Sequence, residues 1–197
     1  MSTFANALKA FPVLTTKRLT LRALSPEDAA AYFKQISALP TTSSWSGGYS
    51  SRDIAGARMA INSVNNRYKR SKTIIPWGIT MTRGGKLIGQ MKLFDIENRT
   101  RGEIGYWIGQ DHRSKGFATE AVLATVDFAF DRLAMHRLFA VTDPDNPASQ
   151  HVLEKSGFVR EGVLRQHTAR GGQWRDSIIY GLLSSDRQSV VTSQKAG

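Results

Sequence analysis

The 197-residue sequence predicts an α/β fold: a mixed, mostly antiparallel sheet with flanking helices, ordered β-α-α-β-β-β-α-β-α-β-β. Three observations carry this. Runs with a two-residue apolar period alternate with stretches at helical spacing, and no repeat or linker divides them. Three consecutive central strands, the first two joined by a glycine turn, make an antiparallel meander. The strand–helix–strand unit that follows calls for a crossover, which brings in a parallel pair.

Each element has a local reason. Leu19 and Leu21 alternate with Thr20 and Arg22 as a half-buried strand. Ser25-Pro26-Glu27-Asp28 reads as an N-cap, a proline at the first helical position and acids in the first turn. Ala29, Tyr32, Phe33 and Ile36 then recur at helical spacing. Residues Pro40 to Ser50, rich in Ser, Thr and Gly, are a loop, and Ser51 is placed to cap a second helix with Ile54, Ala57, Arg58 and Ile61 on its stripe. Ile75 to Met81 leads through Arg83-Gly84-Gly85 into Lys86 to Asp95, and Gly102 to Gly109 is the third strand. A long helix over Gly116 to Leu133, apolar on nearly every side, belongs between layers. Arg137 to Thr142 is a strand, Asn146-Pro147 opens a helix ending at Ser156-Gly157, and Phe158 to His167 and Trp174 to Leu183 flank a Gly171-Gly172 turn. One domain over residues 15–183 is expected, after an N-terminal extension (1–14) and before a polar tail (184–197).

A chain of this length buries roughly 70% of its unfolded surface, and 41% apolar residues suit a globular core. No apolar run is long enough to span a bilayer, and Met1 to Lys17 lacks the layout of a secretory signal. The absence of cysteine excludes disulfides and thiolate chemistry and fits a reducing cytoplasm, the expected location. Lys and Arg number 27 against 16 Asp and Glu, a net charge of +11 that favours anionic partners. The basic residues are spread along the chain, so a solvated basic surface competes with a specific role.

One segment carries chemistry: Gln110-Asp111-His112-Arg113-Ser114-Lys115-Gly116-Phe117-Ala118-Thr119-Glu120-Ala121. It leaves a strand and opens a long helix, where free amides and the helix dipole attract an anion. Gly116 lets a phosphate approach the backbone, and Arg113 and Lys115 add positive charge; a glycine kink with its basic residues in solvent is the alternative. Neither a Gly-x-x-x-x-Gly-Lys-Ser/Thr nor a Gly-x-Gly-x-x-Gly run occurs.

Arg113-Ser114-Lys115-Gly116-Phe117-Ala118 resembles the Arg/Gln-x-x-Gly-x-Gly/Ala signature of the GNAT superfamily of acetyl-CoA-dependent N-acetyltransferases. Five further stretches agree in order: Thr16-Lys17-Arg18-Leu19-Thr20-Leu21-Arg22, Gly105-Tyr106-Trp107-Ile108, Asn146-Pro147-Ala148-Ser149, Leu153-Glu154-Lys155-Ser156-Gly157-Phe158 and Gly172-Gln173-Trp174-Arg175-Asp176. Over about Thr15 to Leu183 the chain looks like the RimJ/RimL branch, which includes enzymes that acetylate N-terminal amines of ribosomal proteins.

The resemblance implies a GNAT-like sheet and acetyl-CoA as cosubstrate. The pyrophosphate would rest on Arg113, Ser114, Lys115, Gly116, Phe117 and Ala118, with Thr119 adjacent. Trp107 and Ile108 would line the pantetheine arm where the strands part, their backbone polarising the thioester. Asn146 and Ser149 would lie near the pantetheine and sulfur, although Asn146 is equally a helix cap. Transfer would be direct, with Glu103 the candidate base and Ser149 the group near the thiol. Thr168 stands where some RimL-type enzymes are thought to carry a glutamate, so that role does not transfer. Tyr106 is read as core or acceptor wall. His112, His136, His151 and His167 show no metal spacing, and no metal is expected. The acceptor is read as a protein N-terminal α-amine of the ribosomal-protein kind, with a small-molecule amine and a non-catalytic acetyl-CoA-binding domain as alternatives. The +11 charge raises nucleic-acid binding as a rival, but basic strands with interleaved aromatics are not found, so direct binding is not expected. The loop Pro40 to Ser50 and the Gly171-Gly172 turn are expected to shape the acceptor side.

Overall fold

A computed structural model describes residues 3–37, 53–97 and 99–187. Its elements are α1 (Thr3–Ala7), β1 (Leu14–Thr15), β2 (Leu19–Ala23), α2 (Ala29–Ser37), α3 (Ile54–Ser71), β3 (Ile74–Met81), β4 (Leu87–Glu97), β5 (Arg101–Ile108), α4 (Phe117–Asp127), β6 (Arg137–Thr142), α5 (Pro147–Lys155), β7 (Val159–Arg170) and β8 (Gln173–Leu183). The strands form one open sheet in the order β1-β2-β3-β4-β5-β6-β8-β7. Every pairing is antiparallel except β5 with β6. The predicted mixed sheet is present, with β8 inserted between β6 and β7.

The local signals explain most boundaries. Ser25 and Asp28 close a reciprocal capping box, with Pro26 just inside. Asn146 caps α5 ahead of Pro147. Gly171 and Gly172, both at positive φ, turn β7 into β8. Several differences have physical causes. Asp53, whose side chain accepts from the Gly56 amide at 2.7 Å, caps α3, and the buried stripe runs through Ala57, Ile61, Val64 and Tyr68. Ile54 and Arg58 face solvent instead. Ser51 and the expected loop Pro40 to Ser50 lie outside the described residues. The expected long helix becomes α4 plus a five-residue π-turn, Phe128–Arg132. β7 runs on to Arg170 because an irregularity between Leu164 and Thr168 absorbs extra residues.

The residues ahead of Thr15 pack on the same core. Phe11 meets the rings of Tyr68 and Trp77 at 4.8 and 6.4 Å, and the Trp77 indole N–H donates to the Pro12 carbonyl at 2.7 Å. One sheet face carries Ile79, Leu93, Ile104 and Ile108 against α4. The opposite face carries Leu87 and Trp107 against α2 and α3. No helix among the described residues is long and apolar enough to cross a membrane.

Candidate active site

The sheet opens at one place. β5 and β6 pair in parallel only from Arg101↔Arg137 to Glu103↔Phe139. Beyond Glu103, no register pair joins them among the described residues, so Ile104 to Ile108 borders a gap. The Gly109 amide donates to the Ile88 carbonyl at 2.8 Å, which fixes the alternation along β5. Odd-numbered residues turn their backbone groups to β4, and Tyr106 and Ile108 turn theirs into the gap. Of the two residues expected to polarise a carbonyl there, Ile108 offers the amide. Trp107 directs its backbone to β4 and buries its indole between α2 and α3, 5.6 Å from the Tyr32 ring. The Ile108 side chain is buried on the α4 face.

At the end of the gap stands the start of α4. Gly116 is the N-cap in a left-handed conformation (φ 76°), Ser114 precedes it at φ 58°, and no side chain caps the helix. The amides of Phe117, Ala118 and Thr119 therefore lack intrahelical acceptors and form an anion cradle at the positive dipole end. Arg113 and Lys115 brace the loop: Arg113 Nε donates to the Ile108 carbonyl at 3.0 Å and Lys115 Nζ to the Asp111 carbonyl at 2.8 Å. His112 lies against Phe117, its Nε2 buried without a partner in the structure, and burial with Lys86 and Lys115 nearby lowers its pKa.

Arg18 ties this loop to β2. Its Nε meets Glu120 at 2.6 Å, its Nη1 donates to the Lys115 carbonyl at 2.9 Å, and its guanidinium lies 4.5 Å from the Phe117 ring centre. Thr16 Oγ1 and the Arg18 amide also donate to Glu120. The one acid of the first turn is thus engaged and holds its negative charge away from the cradle.

Two polar clusters flank the gap on opposite faces. Tyr106 lies on the α4 and α5 face, and its hydroxyl reaches across to Ser149 of α5, 3.2 Å from Oγ and 3.3 Å from the carbonyl. Burial pushes the Tyr106 pKa up to about 12. Asn146 Oδ1 accepts from the Ser149 amide at 3.1 Å, so its capping role is satisfied and also orients Ser149. Glu103 lies on the other face with Gly105 and Trp107. Burial, with Asp95 nearby, raises its pKa to about 7. Thr168 pairs with Arg175 out on the β7–β8 hairpin.

Sequence reasoning missed the Arg18–Glu120 latch, although it singled out the stretch from Thr16 to Arg22, because a contact between residues 102 apart has no local signal. It also missed that Tyr106 bonds Ser149. Gln35 is a third case: it is buried in α2, and a Cβ on Gly109 would fall 1.8 Å from its Oε1. A side chain at position 109 would have to displace the Gln35 carboxamide.

The comparisons with known proteins agree with this geometry. Residues 18–159 match the model of the acetyltransferase (GNAT) domain. The uncharacterized N-acetyltransferase YoaA of Bacillus subtilis (strain 168) is 34% identical over 176 residues, 88% of this chain and 97% of the relative. The [ribosomal protein uS5]-alanine N-acetyltransferase of Escherichia coli (strain K12) is 34% identical over 83 residues, 42% of this chain and 43% of the relative. The crystal structure of the ribosomal-protein-S5-alanine acetyltransferase of Vibrio fischeri superposes with a TM-score of 0.75 at 22% identity, covering 89% of this chain and 98% of that one. An open sheet parted beside an uncapped glycine-led helix, matched by the domain model over most of its length, makes this chain an N-acetyltransferase of the GNAT family.

Proposed function

We propose that the enzyme transfers acetyl from acetyl-CoA to a primary α-amine at a protein N-terminus, of the ribosomal-protein kind. The observation that carries this is Glu103: a mostly buried carboxyl with a pKa raised to about 7, five residues before the parted end of β5 at Ile108. An α-amine has a pKa near 8 and needs only about 1.4 kcal/mol to be neutral at pH 7, whereas a lysine near 10.4 needs about 4.6 kcal/mol. A base poised near 7 suits the first acceptor far better.

The residues present fit the donor. The uncapped amides of Phe117, Ala118 and Thr119, entered through left-handed Gly116, would hold its pyrophosphate, with Arg113, Ser114 and Lys115 shaping the mouth. The pantetheine arm would lie in the gap beside Ile108. When bound, acetyl-CoA supplies an activated acyl group on a good leaving sulfur. Glu103 takes the proton of the acceptor amine through intervening water, as the amine attacks from the α2 and α3 side. The Ile108 amide donates to the carbonyl oxygen as negative charge develops there. On the other face, Ser149 and Tyr106 offer hydroxyls to the departing sulfur; a thiol near pKa 8.5 needs hydrogen bonding more than a strong acid. The E. coli relative's action on an alanine of protein uS5 supports the acceptor class.

The test is calorimetric titration with acetyl-CoA, with ATP as a charge control, on wild type and Gly116→Asp, followed by an amine panel. Saturable binding of acetyl-CoA alone, lost in the variant, with acetylation of short peptides at their α-amine, supports the reading. Preferred acetylation of a small amine moves the enzyme to that acceptor class. Binding without transfer to any amine leaves a non-catalytic acetyl-CoA-binding domain.

A further inference from the structure

The positive charge of the chain is concentrated in one stretch. From Ile54 to Phe94 the sequence holds eight Lys or Arg and no Asp or Glu, against a net charge of +11 for the whole chain. Of these, Lys86 lies near His112, in the loop before α4. Arg58, Arg67, Lys69, Arg70 and Lys72 stand on α3 or at its C-cap. With Ala57, Ile61, Val64 and Tyr68 turned inward, Arg58, Asn62, Asn66 and Arg70 form one exposed row at i, i+4 spacing, and Lys69 lies beside it. Arg58, Lys69 and Arg70 make no salt bridge among the described residues.

A helix face left merely to solvent is stabilised by good helix formers and by opposite charges four residues apart. This face instead carries Asn62, Ser63 and Asn66, which are poor helix formers, and Arg67 and Arg70, which repel across three residues. Lys69 and Arg70 suit the negative end of the helix dipole, but Arg58 stands in the second turn, toward the positive end. The face thus gives up helix stability to hold unneutralised cations and amides in a row roughly 18 Å long. The expectation against direct nucleic-acid binding rested on the strands: basic strands with interleaved aromatics read unpaired bases, whereas a cationic helix face meets the backbone of a duplex. A phosphate only accepts hydrogen bonds, and cations suffice for it. Asn62 and Asn66 each offer a donor and an acceptor, which suits the ribose 2′-hydroxyl, itself both.

We propose that the exposed face of α3 docks double-stranded RNA, with Arg58, Lys69 and Arg70 on phosphates and Asn62 and Asn66 on 2′-hydroxyls. The proposal is independent of which amine accepts the acetyl group.

Fluorescence anisotropy with a labelled RNA duplex of about 16 base pairs tests this. The proteins are wild type, Arg58→Gln/Arg70→Gln, Asn62→Ala/Asn66→Ala and a charge-matched control, Lys155→Gln/Arg165→Gln, whose two sites are exposed on α5 and β7. Wild type should bind saturably at about 50 mM salt, and log K should fall against log salt with a slope of about −3, one per cation. Arg58→Gln/Arg70→Gln should bring the slope to about −1 and weaken binding at least tenfold, roughly the loss of two charged hydrogen bonds. Asn62→Ala/Asn66→Ala should lose the preference for RNA over a DNA duplex of the same sequence. Thermal melts at or above that of wild type show that the variants are folded, since glutamine and alanine are good helix formers. Equal losses in the charge-matched control would mean that net charge alone drives binding, and competition by acetyl-CoA would put the RNA on the loop before α4; either overturns the assignment to α3. Wild type that binds DNA as tightly as RNA overturns the 2′-hydroxyl contacts. No saturable binding at about 50 mM salt, or tighter binding of polyglutamate than of RNA, overturns the RNA partner altogether.

Discussion

With Glu103 as the proposed base, a single proton links the reaction to the stability of the chain. Its pKa rises from 4.5 to about 7 on folding, first because it is buried and then because Asp95 is near. A folded-state pKa above the unfolded one means that the native protein holds the proton more tightly between these values. The associated stability is complete below about pH 4.5 and is lost as pH rises toward 7. At about 1.4 kcal/mol per pH unit the ceiling is about 3 kcal/mol, reduced by partial exposure. Glu103→Gln should therefore melt with wild type at pH 4 and above it at pH 8. Activity must run the opposite way, since only the ionised carboxylate accepts a proton. In wild type, kcat/KM expressed per neutral amine should climb about tenfold per pH unit below 7 and flatten above. Glu103→Gln should lose that limb and fall about 10²- to 10⁴-fold, as a pH–rate profile of both proteins would show. A limb retained in the variant would place the base elsewhere. Across the gap, Tyr106→Phe removes a hydroxyl whose pKa of about 12 makes it a poor acid. A loss beyond about tenfold in kcat would mean that it does more than hydrogen-bond, and would contradict its role here.

The start of α4 works as a unit built by two other elements. Gly116 supplies the left-handed turn, β5 supplies the Ile108 carbonyl to Arg113, and Arg18, just ahead of β2, holds both Glu120 and the Lys115 carbonyl. Arg18 is 42% exposed, so its ion pair contributes little to global stability. Its value lies in fixing the loop. Arg18→Ala is expected to shift the melting midpoint little while weakening acetyl-CoA binding about threefold to thirtyfold by calorimetry, the range of a charged hydrogen bond lost in part. Equal affinity would show that the cradle holds itself. The element shows which parts of the fold the sequence makes legible. The starts of α4 and α5 could be read because Gly116, and Asn146 with Pro147, act within one turn of themselves. The π-turn after Asp127, the place of β8 between β6 and β7, and the Arg18–Glu120 contact could not, since each depends on residues far along the chain.

At the scale of the molecule, the sheet is continuous except where β5 leaves β6, and what keeps the rest closed includes the residues ahead of β1. α1 rests on the π-turn beyond α4, and Leu8 is 3% exposed in the main core. The Tyr68 hydroxyl donates to the Leu8 and Ala10 carbonyls, and Phe11, Trp77 and Phe128 form a chain of edge-on rings from this segment to the far end of α4. This end is separated from Gly116 by the eleven residues of α4, about 16 Å of helix. Leu8→Ala should therefore cost stability without touching the site. Removing a fully buried leucine is worth about 2–5 kcal/mol, a large part of the roughly 5–15 kcal/mol that holds a domain together. A urea titration should show a lower midpoint with an unchanged slope. Below the transition, acetyl-CoA affinity should equal that of wild type. If affinity fell with stability, the N-terminal segment would be coupled through α4 to the cradle, and the gap would be a property of the whole core. Equal affinity would instead confine the gap to β5, β6 and the first turn of α4, where the register already ends at Glu103.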